Sequence, residues 1–282
     1  MKQVKNVFYS FSLILLLFFN SCDSGINLFS KEDDVQLGFE VSQEIANNPQ
    51  EFPVYRGDPA VKSYIKTRLF DHILSSSQIT SKNIYPYQIE IIDQPDVLNA
   101  FALPGGYIYL YTGLLSYLDS EAALAGVIGH EIAHAEQRHA TQRMTAYYGV
   151  SFLLSLILGE NPSQIAEIAA NLFVGLAFLA NSRADEDEAD LYSFNYLKDT
   201  RYYPGGVKFF FEKMRDDGLV SSQSDEVATF LSTHPDPIDR IDETNRRLTE
   251  ANIQVVDYKS NIDGIYRNEY FQNVVNRLGK KK

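Results

Sequence analysis

Along the chain the first regular signal is a helical pattern over residues 33–47, where Val35, Leu37, Phe39, Val41 and Ile45 are interspersed with acids. Asn48-Pro49 ends it, and Pro53 keeps the next stretch extended. Asp58-Pro59 then offers an N-cap followed by proline at the first helical position, and Val61, Tyr64, Ile65, Leu69 and Ile73 continue at helical spacing. His72 on this helix is read as a surface or packing histidine. Residues 87–92 read as a strand. A hairpin follows, with arms at 99–103 and 107–111 and Pro104-Gly105-Gly106 at its turn, where glycines permit backbone angles that other residues avoid. Tyr107, Tyr109 and Tyr111 alternate with Ile108 and Leu110, the period of a half-buried strand.

Asp119 or Ser120 caps the next helix, which runs through Ala122, Leu124, Val127 and Ile128. Two apolar stretches follow, 150–158 and 165–180. The first is too short to span a bilayer and the second carries Glu167 and Asn171, so buried or lid-like helices are expected, with membrane contact as the alternative. Residues 182–197 predict a further helix, acidic at its start, and 216–226 a loop. Asp236-Pro237 opens another helix. The pattern weakens after Leu248, and no repeat of solenoid length is present. The elements describe an α-rich α+β fold, with a domain at 33–250 and a C-terminal extension at 251–282.

The 282 residues suffice for one large domain or two small ones. A net charge of -12, without a dense Lys/Arg block before the terminal lysines, argues against a nucleic-acid partner, because a phosphate backbone would be repelled. Residues 1–21 have the layout of a signal peptide: Lys2 and Lys5, an apolar run over 7–19, then Ser21. That run falls short of the roughly 20 residues of a membrane-spanning helix. Cys22, the only cysteine, stands where a bacterial lipoprotein carries its acylated residue. The expectation is a lipid anchor at Cys22, a polar tether over 22–32, and a place on the periplasmic side of a bacterial envelope. The alternative is an incidental cysteine behind an ordinary signal or an uncleaved anchor.

The chemistry concentrates at His130-Glu131-Ile132-Ala133-His134, an H-E-x-x-H string inside a helix made small-sided by Ala122, Ala125, Gly126, Gly129 and Ala133. Residues four apart share one helix face, so two imidazoles can point at one ion. Glu131 follows the first of them, where a carboxylate can act as a general base without ligating. A catalytic zinc site needs a third protein ligand and one open position. His139 does not fit the metzincin pattern, in which a third histidine stands ten residues after the first beyond a bending glycine: it falls one residue short, Gln137 occupies the glycine's place, and on a continuing helix it points away from His130. A carboxylate from Ser182-Arg183-Ala184-Asp185-Glu186-Asp187-Glu188-Ala189-Asp190 is the remaining option. Glu186 and Asp190 share a face, so one can ligate while the other orients an imidazole. Spacing alone does not say which.

Residues 130–139, 182–190 and Ser232-Thr233-His234-Pro235, with Asn99-Ala100-Phe101-Ala102-Leu103-Pro104-Gly105-Gly106, resemble the HtpX- and BepA-like zinc metallopeptidases, relatives of the CAAX prenyl protease. The resemblance covers roughly residues 33–247. It implies a zincin-like domain with a small sheet above the metal-binding helix, and one Zn²⁺ held by His130, His134 and Glu186, with Asp190 behind them. It gives His234 a place near the metal, as oxyanion support or as a fourth, resting-state ligand, and gives Arg240 a helping role. Its implied substrates are polypeptides, in misfolded or envelope proteins, lying extended against the edge strand Asn99, Ala100, Phe101 and Ala102. The membrane helices of some members and the helical repeats of others are not seen in the pattern, which resembles the lipoprotein-like branch. The competing expectation is a chaperone-like or inactive metal-binding protein that recognises envelope clients.

Overall fold

A computed structural model of the chain describes residues 27–146, 181–221, 230–235 and 237–279. The signal segment, Cys22, both apolar stretches between 150 and 180, and Asp236 lie outside the described residues. Helix α1 (Lys31–Asn47) opens on a capping box between Ser30 and Asp33, which satisfies backbone N–H groups that have no partner within the helix. Helix α2 (Pro59–Tyr64) starts where Asp58 accepts from the Ala60 N–H. It runs on through a π-helical turn, Ile65–Phe70, into Asp71–Ile73, burying Val61, Ile65, Leu69 and Ile73.

The sheet has strands β1 (Gln88–Ile92), β2 (Ala100–Leu103) and β3 (Tyr107–Tyr111) in the order β1-β3-β2. β3 is central, parallel to β1 and antiparallel to β2, with Ala102 opposite Ile108 and Leu103 opposite Tyr107. The turn between β2 and β3 places Gly105 and Gly106 at φ 74° and 84°, left-handed angles that glycine adopts without penalty. The tyrosines of β3 are not half-exposed as their alternation suggests. All five residues of the strand are buried, because α1 covers one face with Leu37, Val41 and Ile45 while Ile108 and Leu110 join the main core on the other.

Short α3 (Thr112–Tyr117) leads into α4 (Glu121–Gln137), the central helix, which is buried almost throughout. Ser120 caps it by accepting from the Ala123 N–H, and Asp119 instead pairs with Arg267 at 3.0 Å. Against α4 pack α5 (Arg183–Lys198) and α6 (Gly206–Asp216). The small residues of α4 make this approach possible: a Cβ on Gly126 would run into the backbone at Gly206 and Val207, and one on Gly129 would come within 2.7 Å of Ser193 Oγ. Helix α7 (Pro237–Glu250) packs on α5 and α6.

Two boundaries differ from the sequence reading. The tether expected over 22–32 is already docked by Asn27, whose side chain donates to Thr141 Oγ1 at 2.9 Å; Arg138 donates to the carbonyls of Phe29 and Ser30, and Lys31 starts α1. Nor are the residues after 250 a separate extension. Ile265, Tyr270 and Val274 are fully buried in the main core, and the Ile265 carbonyl accepts from the Ala122 N–H at the start of α4. The last helical stretch, α8 (Arg267–Tyr270), continues through Phe271–Val275 to Leu278 and packs on α2. Its sparse apolar residues carry no clean period because they plug gaps between other elements.

Candidate metal centre

His130 and His134 sit one turn apart on α4, and their Nε2 atoms lie 2.9 Å from each other. Glu186, from the first turn of α5, brings Oε2 to 3.4 Å from His130 Nε2 and Oε1 to 3.3 Å from His134 Nε2. His234 follows a short helical turn over 230–233 and places Nδ1 3.0 Å from Glu186 Oε1. Ligand atoms from these four buried residues all lie within 4.8 Å of one another. A tetrahedral zinc with bonds of 2.0–2.1 Å sets its ligand atoms roughly 3.3 Å apart; the two separations to Glu186 match it, and the imidazole pair at 2.9 Å stands closer. Imidazole and carboxylate donors also suit zinc chemically.

His130 and Glu186 are held in turn from behind. Asp190, one turn beyond Glu186, accepts from His130 Nδ1 at 2.8 Å. Arg240 of α7 donates twice to Asp190, at 2.7 Å each, and once to Glu186 at 2.6 Å, with its guanidinium 4.2 Å above the Phe211 ring. Arg240 thus touches the carboxylates and the edge of His130, not the open side of the cluster. Burial works against an ionised Glu186, but His234, Arg240 and His130 outweigh it and hold its carboxyl well below the usual range. Burial likewise opposes Asp190, and Arg240 prevails, bringing it down to about 2. Burial also disfavours charge on both imidazoles: it wins at His134, whereas Glu186 and Asp190 reverse it at His130.

Glu131 is 1% exposed, and its Oε1 has no hydrogen-bond partner. The nearest opposite group is His234 Nε2, 3.8 Å away. Burial pushes its carboxyl above the ordinary value despite His234 and His130. An orphaned buried acceptor beside a cluster of metal-ligating atoms calls for a donor between them, such as an ordered water.

Of the four residues expected to meet a substrate, Asn99, Phe101 and Ala102 line the cleft with Glu131, His134 and Arg143, whereas the Ala100 side chain faces the core. β2 is an edge strand of the sheet, and Phe101 stacks on Tyr109 at 4.8 Å between ring centres. His72 stands apart from the site, edge-on to Tyr202.

Two participants escaped the sequence reading. Asn181 donates to Glu186 Oε1 at 2.6 Å and approaches His134 Nε2 at 3.4 Å; its place just before the Ser182 cap was the one available signal. His139 is outside the ligand cluster, but it does not point away from it. Helix α4 stops at Gln137, Arg138 turns left-handed at φ 64°, and His139 folds back to put Nδ1 2.7 Å from His134 Nδ1. Arg138 carries no breaker signature; its guanidinium bonds to Asp34, Phe29 and Ser30 offset the roughly 1–2 kcal/mol of that conformation.

Residues 59–248 match Peptidase family M48. The chain is 31% identical over 167 residues to the mitochondrial metalloendopeptidase OMA1 of Arabidopsis thaliana, covering 59% of this chain and 32% of that protein. It is 30% identical over 211 residues to the beta-barrel assembly-enhancing protease of Escherichia coli, covering 71% and 41%. With the OMA1 protein of Schizosaccharomyces pombe the identity is 27% over 226 residues, covering 79% and 65%. The chain thus spans less than two thirds of each of these relatives. With the family match covering most of its length, from α2 through α7, the chain belongs to peptidase family M48.

Proposed function

We propose that this protein is a zinc-dependent endopeptidase of zincin-like fold, with His130, His134 and Glu186 as the metal ligands. The observation that carries this reading is the convergence of those three residues, with 2.9, 3.3 and 3.4 Å between their ligand atoms. When bound, the cation supplies a Lewis acid that makes water acidic near neutrality and polarises a peptide carbonyl. Glu131 takes the proton of the attacking water on its free Oε1 and delivers it to the leaving amine. Asp190 fixes the tautomer of His130, and Arg240 holds Asp190 and Glu186 in place while balancing their charge. His234 lies on the other side of Glu131, in reach of the reacting carbonyl oxygen or of a fourth ligand position. An extended polypeptide pairs with the β2 edge, Asn99 to Ala102. Protease and metalloendopeptidase are the activities named for the relatives, and the signal pattern with Cys22 supports a lipid-anchored position in a bacterial envelope, acting on misfolded or envelope polypeptides.

Glu131→Gln tests the base: peptide hydrolysis should be lost while purified protein keeps one zinc per chain. Unchanged proteolysis in this variant would remove Glu131 from the reaction. A binding-only role has less support, because binding does not need a buried, unpartnered carboxylate oxygen beside the ligands.

A further inference from the structure

His134 is engaged at both ring nitrogens. Nε2 faces the ligand cluster, and Nδ1 lies 2.7 Å from His139 Nδ1; on the far side of His139, Nε2 lies 3.1 Å from Glu188 Oε2. Two imidazole nitrogens that close share one proton, so one donates and the other accepts. We infer that His139 is a positioning residue: it accepts the Nδ1 proton of His134, and Glu188 fixes the direction of that bond through it. The inference rests on the reading of the cluster as a metal centre.

The direction follows from the outer end. An ionised carboxylate only accepts, so the proton of a neutral His139 resides on Nε2 and its Nδ1 is bare. His134 must then donate from Nδ1, which leaves its Nε2 lone pair facing the cluster. The opposite arrangement, whether it starts from a protonated Glu188 or from a His139 that donates at both nitrogens, would put the His134 proton on Nε2, between the ligands themselves, where a metal-binding imidazole needs its lone pair. One acid thus sets two tautomers in series, a recognised way of orienting a metal-binding imidazole.

The two ligand imidazoles are therefore secured differently. His130 is held directly by Asp190, buried and clamped by Arg240. His134 is held through a buried imidazole, 1% exposed, that ends on a carboxylate whose side chain is 47% exposed. Both acids come from α5, the helix that also supplies Glu186. The left-handed Arg138 makes the relay possible, because it swings His139 off the axis of α4 and back beneath His134.

The test uses the full-length protein and zinc competition against a chromophoric chelator. His139→Leu fills the space without an acceptor; His139→Asn offers Oδ1 near the position of the lost Nδ1. His139→Leu should weaken zinc binding about 10- to 100-fold, as loss of such an orienting partner typically does, and His139→Asn should recover most of it. Should His139→Leu destabilise the fold, Glu188→Ala at the partly exposed end serves alone. In that variant, ¹⁵N shifts of the His139 ring should lose their preference for the Nε2–H tautomer, and zinc affinity should fall several-fold. Equal affinities for the Leu and Asn variants, or an unchanged His139 tautomer with wild-type affinity in Glu188→Ala, would overturn the inference. Absence of zinc binding by the wild-type protein would instead overturn the metal-centre reading beneath it.

Discussion

Replacing Arg240 by Met tests whether the site is organised by charge. The guanidinium is 6% exposed and donates three charge-assisted hydrogen bonds, two to Asp190 and one to Glu186, at 2.6–2.7 Å. Met keeps the aliphatic stem and a contact to Phe211, so little packing is lost. The loss is electrostatic: two buried carboxylates keep their positions without their cation, beside a third at Glu131. Stripping one partner from a buried ion pair costs about 3–5 kcal/mol, and sharing over two carboxylates places this case at the upper end. A dication at the cluster restores positive charge next to Glu186, so the deficit should shrink when zinc is present. Urea unfolding followed by circular dichroism, once with chelator and once with zinc, reads both numbers from midpoints at constant m-value. A loss below about 1 kcal/mol with chelator would refute the charge argument. An equal deficit in both conditions would refute the dication's part in it.

Asp190→Asn removes the carboxylate behind His130 and should weaken zinc binding about 10- to 100-fold with the fold intact, measured by chelator competition; wild-type affinity would show that the 2.8 Å contact does not orient the ligand. Gly126→Ala places a methyl against the backbone of Gly206 and Val207, and the overpacking should lower unfolding stability by about 1–3 kcal/mol; an unchanged thermal midpoint would mean that α4 and α6 can part freely. Alkaline pH should unfold the protein between pH 10 and 12. Burial pushes Tyr111 and Tyr203 from 10.0 up to about 12. A raised folded-state value means that stability is fully present below pH 10 and is lost as pH climbs toward 12, roughly 2–3 kcal/mol for each group. Tyrosinate absorbance should rise together with loss of helical signal, and ionisation of all tyrosines near pH 10 with the fold intact would contradict that burial.

Much of the site was legible because its chemistry is local. The four-residue spacing of His130 and His134 lies within one helical turn, and small residues around it announced a helix meant for close packing. The capping residues Asp58 and Ser120 were equally readable. What stayed hidden depends on contacts distant along the chain. The full burial of β3 follows from α1 lying across it, which no alternation within β3 can express. The end of α4 at Gln137 is stabilised by Asp34, Phe29 and Ser30, more than a hundred residues earlier; no glycine or proline marks it, so His139 looked as if it faced away. The residues after 250 look irregular because Ile265, Tyr270 and Val274 fill separate gaps in a core whose walls are other elements.

The acidic run at the start of α5 shows the limit most clearly, since by composition it reads as a solvated face. A helix turns about 100° per residue, so successive acids are delivered to different neighbours. Asp185 closes the capping box with Ser182. Glu186 enters the ligand cluster, and Asp187 meets Arg247 of α7. Glu188 reaches His139, and Asp190, back on the face of Glu186, supports His130 and takes two bonds from Arg240. The two acids whose side chains stay near half exposed or above, Asp187 and Glu188, are those on the outer side of the helix. Turning the helix by one residue would exchange Glu186 for a neighbour on the wrong side and break ligand, support and relay together. The register of α5 against α4 therefore matters as much as the H-E-x-x-H string, and it is set by small contacts such as Gly129 against Ser193 and the Ser193 hydroxyl donating to the Gly126 carbonyl at 2.9 Å.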